Sequence, residues 1–375
     1  MLTDAHEHPL VAEVTTDTAA LLDDIVAFLR RFVVLTDDQL RALALWLLHT
    51  YAFDAADNTP YLNIYSVLMQ CGKSRLLAIL NLLAHNAGTM ITPSEAVVYR
   101  WIDGMPNPTL LLDEVDAIWS TNTGDNEALR AIVNAGYERG GQVPRCVNFT
   151  ELQFFNVYCP KALAGIGQLP DTVADRSIPI KLKRKKASEP CERFRKRLPG
   201  VSDPAADICS RAEAWASPNI AVLRESWPEL PECLSDRQHD CIEPLLAIAD
   251  LAGGSWPATA REAFVRIFAG ARSADDSLRL RCLSDCRDAL GPGGDVQSST
   301  LVARLQAIED GPWQEQILTP NKLAWLLRDF DVKPLPLRFP DPIGQKRGYR
   351  WAEFEDAFSR YLPTPTTPNN PTATP

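Results

Sequence analysis

Residues 61–74 read Tyr-Leu-Asn-Ile-Tyr-Ser-Val-Leu-Met-Gln-Cys-Gly-Lys-Ser. Leu62 to Ser66 alternate and favour β structure, which suits a buried strand. Gly72-Lys73-Ser74 then opens the run Leu76, Leu77, Ile79, Leu80, Leu82 and Leu83, whose spacing is helical. A strand, a tight loop and a Gly-Lys-Ser helix start form the context that a phosphate-binding loop needs. The N–H groups of the first helical turn face an anion. The Lys73 ammonium reaches the β/γ-phosphates, and the Ser74 hydroxyl sits on Mg²⁺. The pattern is incomplete, because Val67 stands where the full motif has its first glycine. The alternative is an ordinary helix start.

Forty residues on, Thr109 to Asp113 read Thr-Leu-Leu-Leu-Asp, followed by Glu114. Three leucines between Pro108 and an acidic pair suit a parallel strand buried on both faces. Asp113 at its C-terminal end is placed to hold Mg²⁺ through water, and Glu114 to polarise an attacking water. The plain alternative is a buried strand that ends in acidic turn residues.

A chain of 375 residues has room for two or three domains. No apolar run approaches the roughly 20 residues of a membrane span. The start, MLTDAHEHPL, lacks the basic and apolar parts of a secretory signal. A cytoplasmic protein without membrane contact is expected. The nine cysteines are scattered, apart from Cys282 and Cys286, which share a helix face and do not form a zinc knuckle. No zinc is expected. His49 reads as a structural histidine. A net charge of −10 argues against indiscriminate nucleic-acid binding, so such contact must come from local basic patches.

Residues 1–16 read as a flexible start. Residues 17–58 read as a helical pair packed on the core, the second helix opened by the capping box Thr36-Asp37-Asp38-Gln39. The core, 59–187, continues with a short strand at Thr89 to Thr92 and a helix capped by Ser94. After the acidic strand come a helix from Asn126 to Tyr137, a strand from Phe154 to Ala164, a short helix at Asp171 to Arg176 and a fifth strand from Ser177 to Leu182. This order predicts a parallel α/β sheet. A whole strand-helix unit separates the two motifs, the spacing of motor-type ATPases and not of small nucleotide kinases.

Five segments together resemble the bacterial and phage family called domain of unknown function 3631. They are CGKS, LLLDEVD, NAGYERGG, CPKALAGIGQLPDTVADRSIPIKL and EPLLAIADLAGGSWP. That family is similar to the AAA+ and superfamily-three helicase ATPases and often accompanies primases on mobile elements. The resemblance runs from about Leu21 to Leu362. It implies a loop of Cys71, Gly72, Lys73 and Ser74 on phosphate. Ser74 and Asp113 would hold Mg²⁺, and Glu114 would be the catalytic base. Arg176, just before the fifth strand, stands where AAA+ proteins place an arginine finger acting on a neighbouring subunit. Arg139 is a second candidate. The other reading has Arg176 pairing with Asp171 or Asp175 to fix a turn. A polar sensor is expected at the end of the fourth strand, with Lys161 and Gln168 both possible.

Nine cations fall within residues 181–197, among them Lys183, Arg184, Lys185 and Lys186. They suit a phosphate backbone, or equally a solvated face. Residues 188–290 read as a helical lid region. Its helices are expected at Asp203 to Trp227, Ser235 to Leu251, Ala258 to Phe268 and Ser277 to Leu290. Beyond the boundary at Gly291 to Gly294, residues 291–362 read as a winged-helix-like domain. Ser299 and Thr319 cap its two helices, and a loop from Phe339 to Arg347 carries Lys346 and Arg347 toward DNA. A protein-docking winged helix is the rival there. The Pro/Thr-rich tail, 363–375, is expected to be disordered.

The expected fold is therefore α/β: an AAA+-like P-loop NTPase sheet flanked by helices, then an α-helical region and a winged-helix-like domain. The expected function is an ATP- and Mg²⁺-dependent motor or remodeller acting on DNA as a homo-oligomer, with a primase as a possible partner. The rivals are a nucleotide-gated DNA-binding regulator and a small-molecule phosphotransferase.

Overall fold

The computed structural model describes residues 17–66, 71–120, 124–148, 151–166, 169–186, 188–291, 294–308, 311–314, 318–340 and 344–362. The expected flexible start and tail, residues 67–70 of the loop, Gln168, and residues 292–293 of the expected boundary lie outside them. By its contacts the chain divides into two compact units, 1–268 and 269–375. The sequence alone suggests divisions at 16/17, 58/59, 187/188, 290/291 and 362/363.

In the first unit, helices α1 (Thr18–Phe32) and α2 (Asp37–His49) lead into strand β1 (Tyr61–Ser66) and helix α3 (Lys73–Leu83). There follow β2 (Ala87–Ile91), α4 (Glu95–Gly104), β3 (Thr109–Asp113), α5 (Val115–Ser120) and α6 (Gly124–Ala135). Next come β4 (Gln142–Val147), β5 (Glu151–Asn156), β6 (Lys161–Ile166), α7 (Asp171–Ala174) and β7 (Ser177–Leu182). Helices α8 (Pro199–Arg224) and α9 (Asp236–Ala252) follow, and α10 (Trp256–Leu290) starts in the first unit and ends in the second.

Five strands make one parallel sheet in the order β2-β3-β6-β1-β7. Every residue of β1 is buried, as are the first four of β3 and the first five of β6. This is why those strands read as near-continuous apolar runs. The register sets Leu62 beside Ala162 and Leu110 beside Lys161. Ser66, Ile166 and Asp113 therefore end their strands along one edge of the sheet, which is where open α/β sheets bind ligands.

The expected single strand from Phe154 to Ala164 is corrected. Phe154 and Phe155 belong to β5, which forms an antiparallel hairpin with β4, and the sheet strand begins only at Lys161. Pro160 has no N–H to give a ladder and marks the break. Phe155 turns inward against the Tyr99 ring, while Phe154 and Leu152 face outward. The two helices expected between Ala258 and Leu290 are one, α10. Residues 269–276 hold no proline, and one glycine does not end a helix.

Helix α2 starts at the expected capping box: Thr36 Oγ1 accepts from Gln39 N–H and the Gln39 side chain accepts from Thr36 N–H. Ser94 occupies the N-cap of α4 without a side-chain bond. His49 is buried, and its Nε2 lies 2.9 Å from Thr59 Oγ1. Helices α8 and α9 pack into the same core as the sheet and do not stand apart as a lid. Trp215 Nε1 donates to Thr18 Oγ1 at 2.9 Å, and Cys209 Sγ to the Leu82 carbonyl at 3.4 Å.

The second unit adds β8 (Asp295–Gln297), α11 (Ser298–Gln306), α12 (Pro320–Leu327), β9 (Leu335–Phe339), β10 (Gly344–Arg350) and α13 (Trp351–Tyr361). Its sheet has the order β8-β10-β9, with antiparallel pairing throughout. Its core gathers Leu283, Leu301, Trp313, Leu326, Tyr349 and Phe354. Thr319 caps α12 as expected, but α11 begins at Ser298, inside which Ser299 lies. Lys346 and Arg347 stand on β10 and not in a loop, exposed, with Arg338 exposed on the paired strand opposite Gln345. Among the described residues, no helix is long and apolar enough to cross a membrane.

Candidate functional site

At the C-terminal edge of the sheet the two sequence motifs meet. Gly72 is the N-cap of α3 at φ 93°, a left-handed conformation that strains any other residue. The turn aims the free N–H groups of the first helical turn at the strand ends. Lys73 Nζ donates to Ser66 Oγ at 2.8 Å, folding back onto the end of β1. Ser74 Oγ lies 3.2 Å from Asp113 Oδ2, which joins the loop to the acidic strand across 39 residues of chain. The other Asp113 oxygen accepts from Glu114 N–H at 3.0 Å.

Glu114 is exposed at φ 58°, a left-handed conformation that costs a non-glycine residue on the order of 1–3 kcal/mol. The Asp113 bond holds it there, so the carboxylate leaves the alternation of β3 and stands at the sheet edge. Asp116 Oδ1 accepts from Ile166 N–H at 3.0 Å, tying the start of α5 to the end of β6. Gly165 leaves room for that contact, since a Cβ there would lie 2.9 Å from Asp116 Oδ1. Ser66 and Asp116 were not singled out from sequence. Asp116 stood in the quoted LLLDEVD run. Nothing local marks Ser66, whose role appears only when the loop folds back.

Other candidates lie elsewhere. Lys161 is the first residue of β6, at the opposite end from the site, so it is no sensor. It is fully buried, and its ammonium donates to the carbonyls of Gly136, Val157 and Cys159 at 3.1, 3.0 and 3.0 Å. It also lies 4.9 Å from the Tyr61 ring centre. Burial pushes its pKa below the usual lysine range. Arg176 precedes β7 at that same far end. Its guanidinium donates to the Thr172 carbonyl and lies over the Tyr137 ring at 5.6 Å. Arg139 is held by the Asp54 and Ala56 carbonyls and by Asp57. Lys183, Arg184, Lys185 and Lys186 are all exposed just past β7.

A five-stranded parallel sheet flanked by helices, with a glycine-turned helix start facing an acidic strand end, defines an α/β protein whose core is compatible with a Rossmann- or P-loop-like sheet. Residues 181–361, just under half of the chain, match the family described as "Protein of unknown function (DUF3631)". The match begins at β7 and does not take in the loop or β3, whereas the sequence resemblance was drawn from Leu21 onward. A protein of Saccharopolyspora erythraea, "Uncharacterized 28.9 kDa protein in xis 5'region", is 39% identical over 160 residues. Those residues are 42% of this chain, and the chain spans 60% of that curated relative's length. Among solved structures, the apo A form of the NrS-1 C-terminal region is similar with 12% identity and a TM-score of 0.32. The likeness covers 89% of this chain and 75% of that one.

Proposed function

We propose that this chain binds ATP with Mg²⁺ at the Gly72-Lys73-Ser74 helix start and hydrolyses it to move or remodel DNA. The observation that carries the reading is the Ser74–Asp113 contact. It brings the two motifs to one point on the sheet edge, with β6 lying between their strands. The residues fit the group. Lys73 needs only to leave Ser66 to neutralise β/γ-phosphate oxygens, and Ser74 and Asp113 offer two oxygens at Mg²⁺-binding positions. When bound, Mg²⁺ neutralises charge that develops on the transferring phosphoryl group. Glu114, free of the strand's alternation, orients and deprotonates the attacking water.

DNA enters the reading through two separate features. The strap after β7 exposes Arg184, Lys186 and further cations. In the second unit, two helices precede a hairpin bearing Arg338, Lys346 and Arg347, the element order of a winged helix. A homo-oligomer with Arg176 reaching a neighbour's nucleotide, a primase as partner and a cytoplasmic mobile-element setting complete the reading. They rest on the sequence resemblance and on a relative named for its place beside xis.

A second reading, a nucleotide-gated DNA-binding regulator, draws on Val67 in place of the first loop glycine. Steady-state ATP hydrolysis with and without single-stranded DNA separates the two, with sedimentation of the ATP-bound protein alongside. The motor predicts turnover that DNA stimulates and a mass above the monomer. DNA affinity that responds to ATP without any turnover would replace it with the regulator.

A further inference from the structure

Residues 183–186 and 188–198 form no helix or strand, yet part of this stretch is fastened along the end of α1. Glu192 makes a two-point pair with Arg31, Nε to Oε1 at 3.0 Å and Nη2 to Oε2 at 2.9 Å. Its N–H donates to the Arg31 carbonyl at 2.7 Å. Cys191 Sγ donates to the Phe32 carbonyl at 2.9 Å, and the Phe194 ring stands 5.3 Å from that of Phe32. Arg75, in the first turn of α3, reaches the same place, with Nη1 3.4 Å from both the Phe32 carbonyl and Cys191 Sγ.

The strap thereby closes a cavity of about 150 Å³ beside the phosphate loop. Its apolar wall is Phe32, Val33, Val34 and Leu182. Its charged wall is Arg75, Lys183 and Lys185. Cys71 and Gly72 join it to the loop, and Cys191 faces it from the strap. Among the described residues no carboxylate lines it, and neither Arg184 nor Lys186 does. Four consecutive exposed cations that look alike in sequence thus divide into two that also line the cavity and two that do not.

A small cavity with an apolar wall and three cations suits one end of a small phosphorylated ligand, the carbon skeleton against the wall and the phosphate toward the cations. It is too small for a nucleic-acid strand to cross. We propose that Lys183 and Lys185 serve the nucleotide held by the loop, contacting its sugar and α-phosphate side, while Arg184 and Lys186 of the same strap remain for nucleic acid. The inference rests on the loop being a nucleotide site.

Two double variants remove equal charge: K183Q/K185Q and R184Q/K186Q. Titration calorimetry with Mg·ATP reads one side, and the salt dependence of single-stranded DNA binding reads the other. K183Q/K185Q should weaken ATP binding at least tenfold, about 1.4 kcal/mol, and leave the salt slope in place. R184Q/K186Q should weaken ATP binding less than about threefold and flatten the slope by roughly 1.4 units, the loss of two single-strand phosphate contacts. ATP should also slow alkylation of Cys71 and Cys191 but not of the exposed Cys146 and Cys233.

Equal ATP affinities in the two variants would overturn the division, as would a flattened slope in K183Q/K185Q or unprotected Cys71 and Cys191. If the wild type binds ATP and Lys73→Ala loses it, such a result removes only this inference. If the wild type binds no ATP, the site and the inference fall together.

Discussion

Glu114→Gln is expected to bind ATP and Mg²⁺ as the wild type does and to hydrolyse at least about tenfold more slowly, the low end of what a general base contributes. The amide keeps the length and shape of the side chain and loses the basic oxygen. The argument is geometric as well as chemical. A glutamate held at φ 58° is strained, and its backbone is fixed on both sides: its N–H donates to Asp113, the proposed Mg²⁺ ligand, and its carbonyl accepts from Ala117 N–H. Strain of this kind persists where surrounding structure over-determines it, commonly at functional sites. Glu114→Gly should therefore do two opposite things. It should release strain worth about 1–3 kcal/mol, so that thermal unfolding moves up or holds despite the added chain entropy, while turnover falls as in the glutamine variant. Turnover at the wild-type rate in both variants would leave Glu114 as a turn residue.

Lys161→Met should cost several kcal/mol of stability, about 1–3 kcal/mol for each buried acceptor left unsatisfied. Methionine fills the stem's volume and takes the ammonium donor from three buried carbonyls, of Gly136, Val157 and Cys159; Gly136 keeps only the long bond from Cys159 N–H at 3.4 Å. The surroundings offer no relief. A Cβ on Gly136 would clash with the Val157 carbonyl and with the ammonium itself, so the backbone already closes on the lysine head. For a protein of ordinary stability, about 5–15 kcal/mol, this is a large share. Urea unfolding followed by tryptophan fluorescence measures it. Because Lys161 lies at the far end of the sheet from Lys73, the folded variant should bind ATP with unchanged affinity. A loss below about 1 kcal/mol would mean that the carbonyls find other donors.

These two residues also show what a sequence can and cannot reveal. The strands on either side of the site were legible because burial on both faces leaves a run such as Leu110-Leu111-Leu112 no other place. The acidic end and the Gly-Lys-Ser start were legible because their chemistry demands those residue types together. The position of β6 between β1 and β3 was not legible, since strand order is set by crossovers and not by local pattern. The β4–β5 hairpin was hidden because Phe154 to Ala164 is apolar almost throughout, and only Pro160 signals that two strands are involved. Lys161 misled because a lysine reads as a surface or catalytic group. Its burial depends on three carbonyls brought together by the loop from Gly136 and the approach to β6. The sorting of Lys183 and Lys185 from Arg184 and Lys186 likewise needs the strap's anchorage at Arg31 and Phe32, more than 140 residues away in the chain.

The central claim is that an ATP phosphate chain is held at Gly72-Lys73-Ser74. Titration calorimetry of Mg·ATP into the wild type and into Lys73→Ala addresses it most directly. Lys73 carries the loop's own point charge toward the phosphates, and its ammonium donates to the Ser66 hydroxyl. Its removal should leave the fold intact and weaken ATP binding at least tenfold, about 1.4 kcal/mol, with hydrolysis lost. A wild type that binds ATP with an affinity unchanged in Lys73→Ala would contradict the site, and a wild type that binds none would contradict the function.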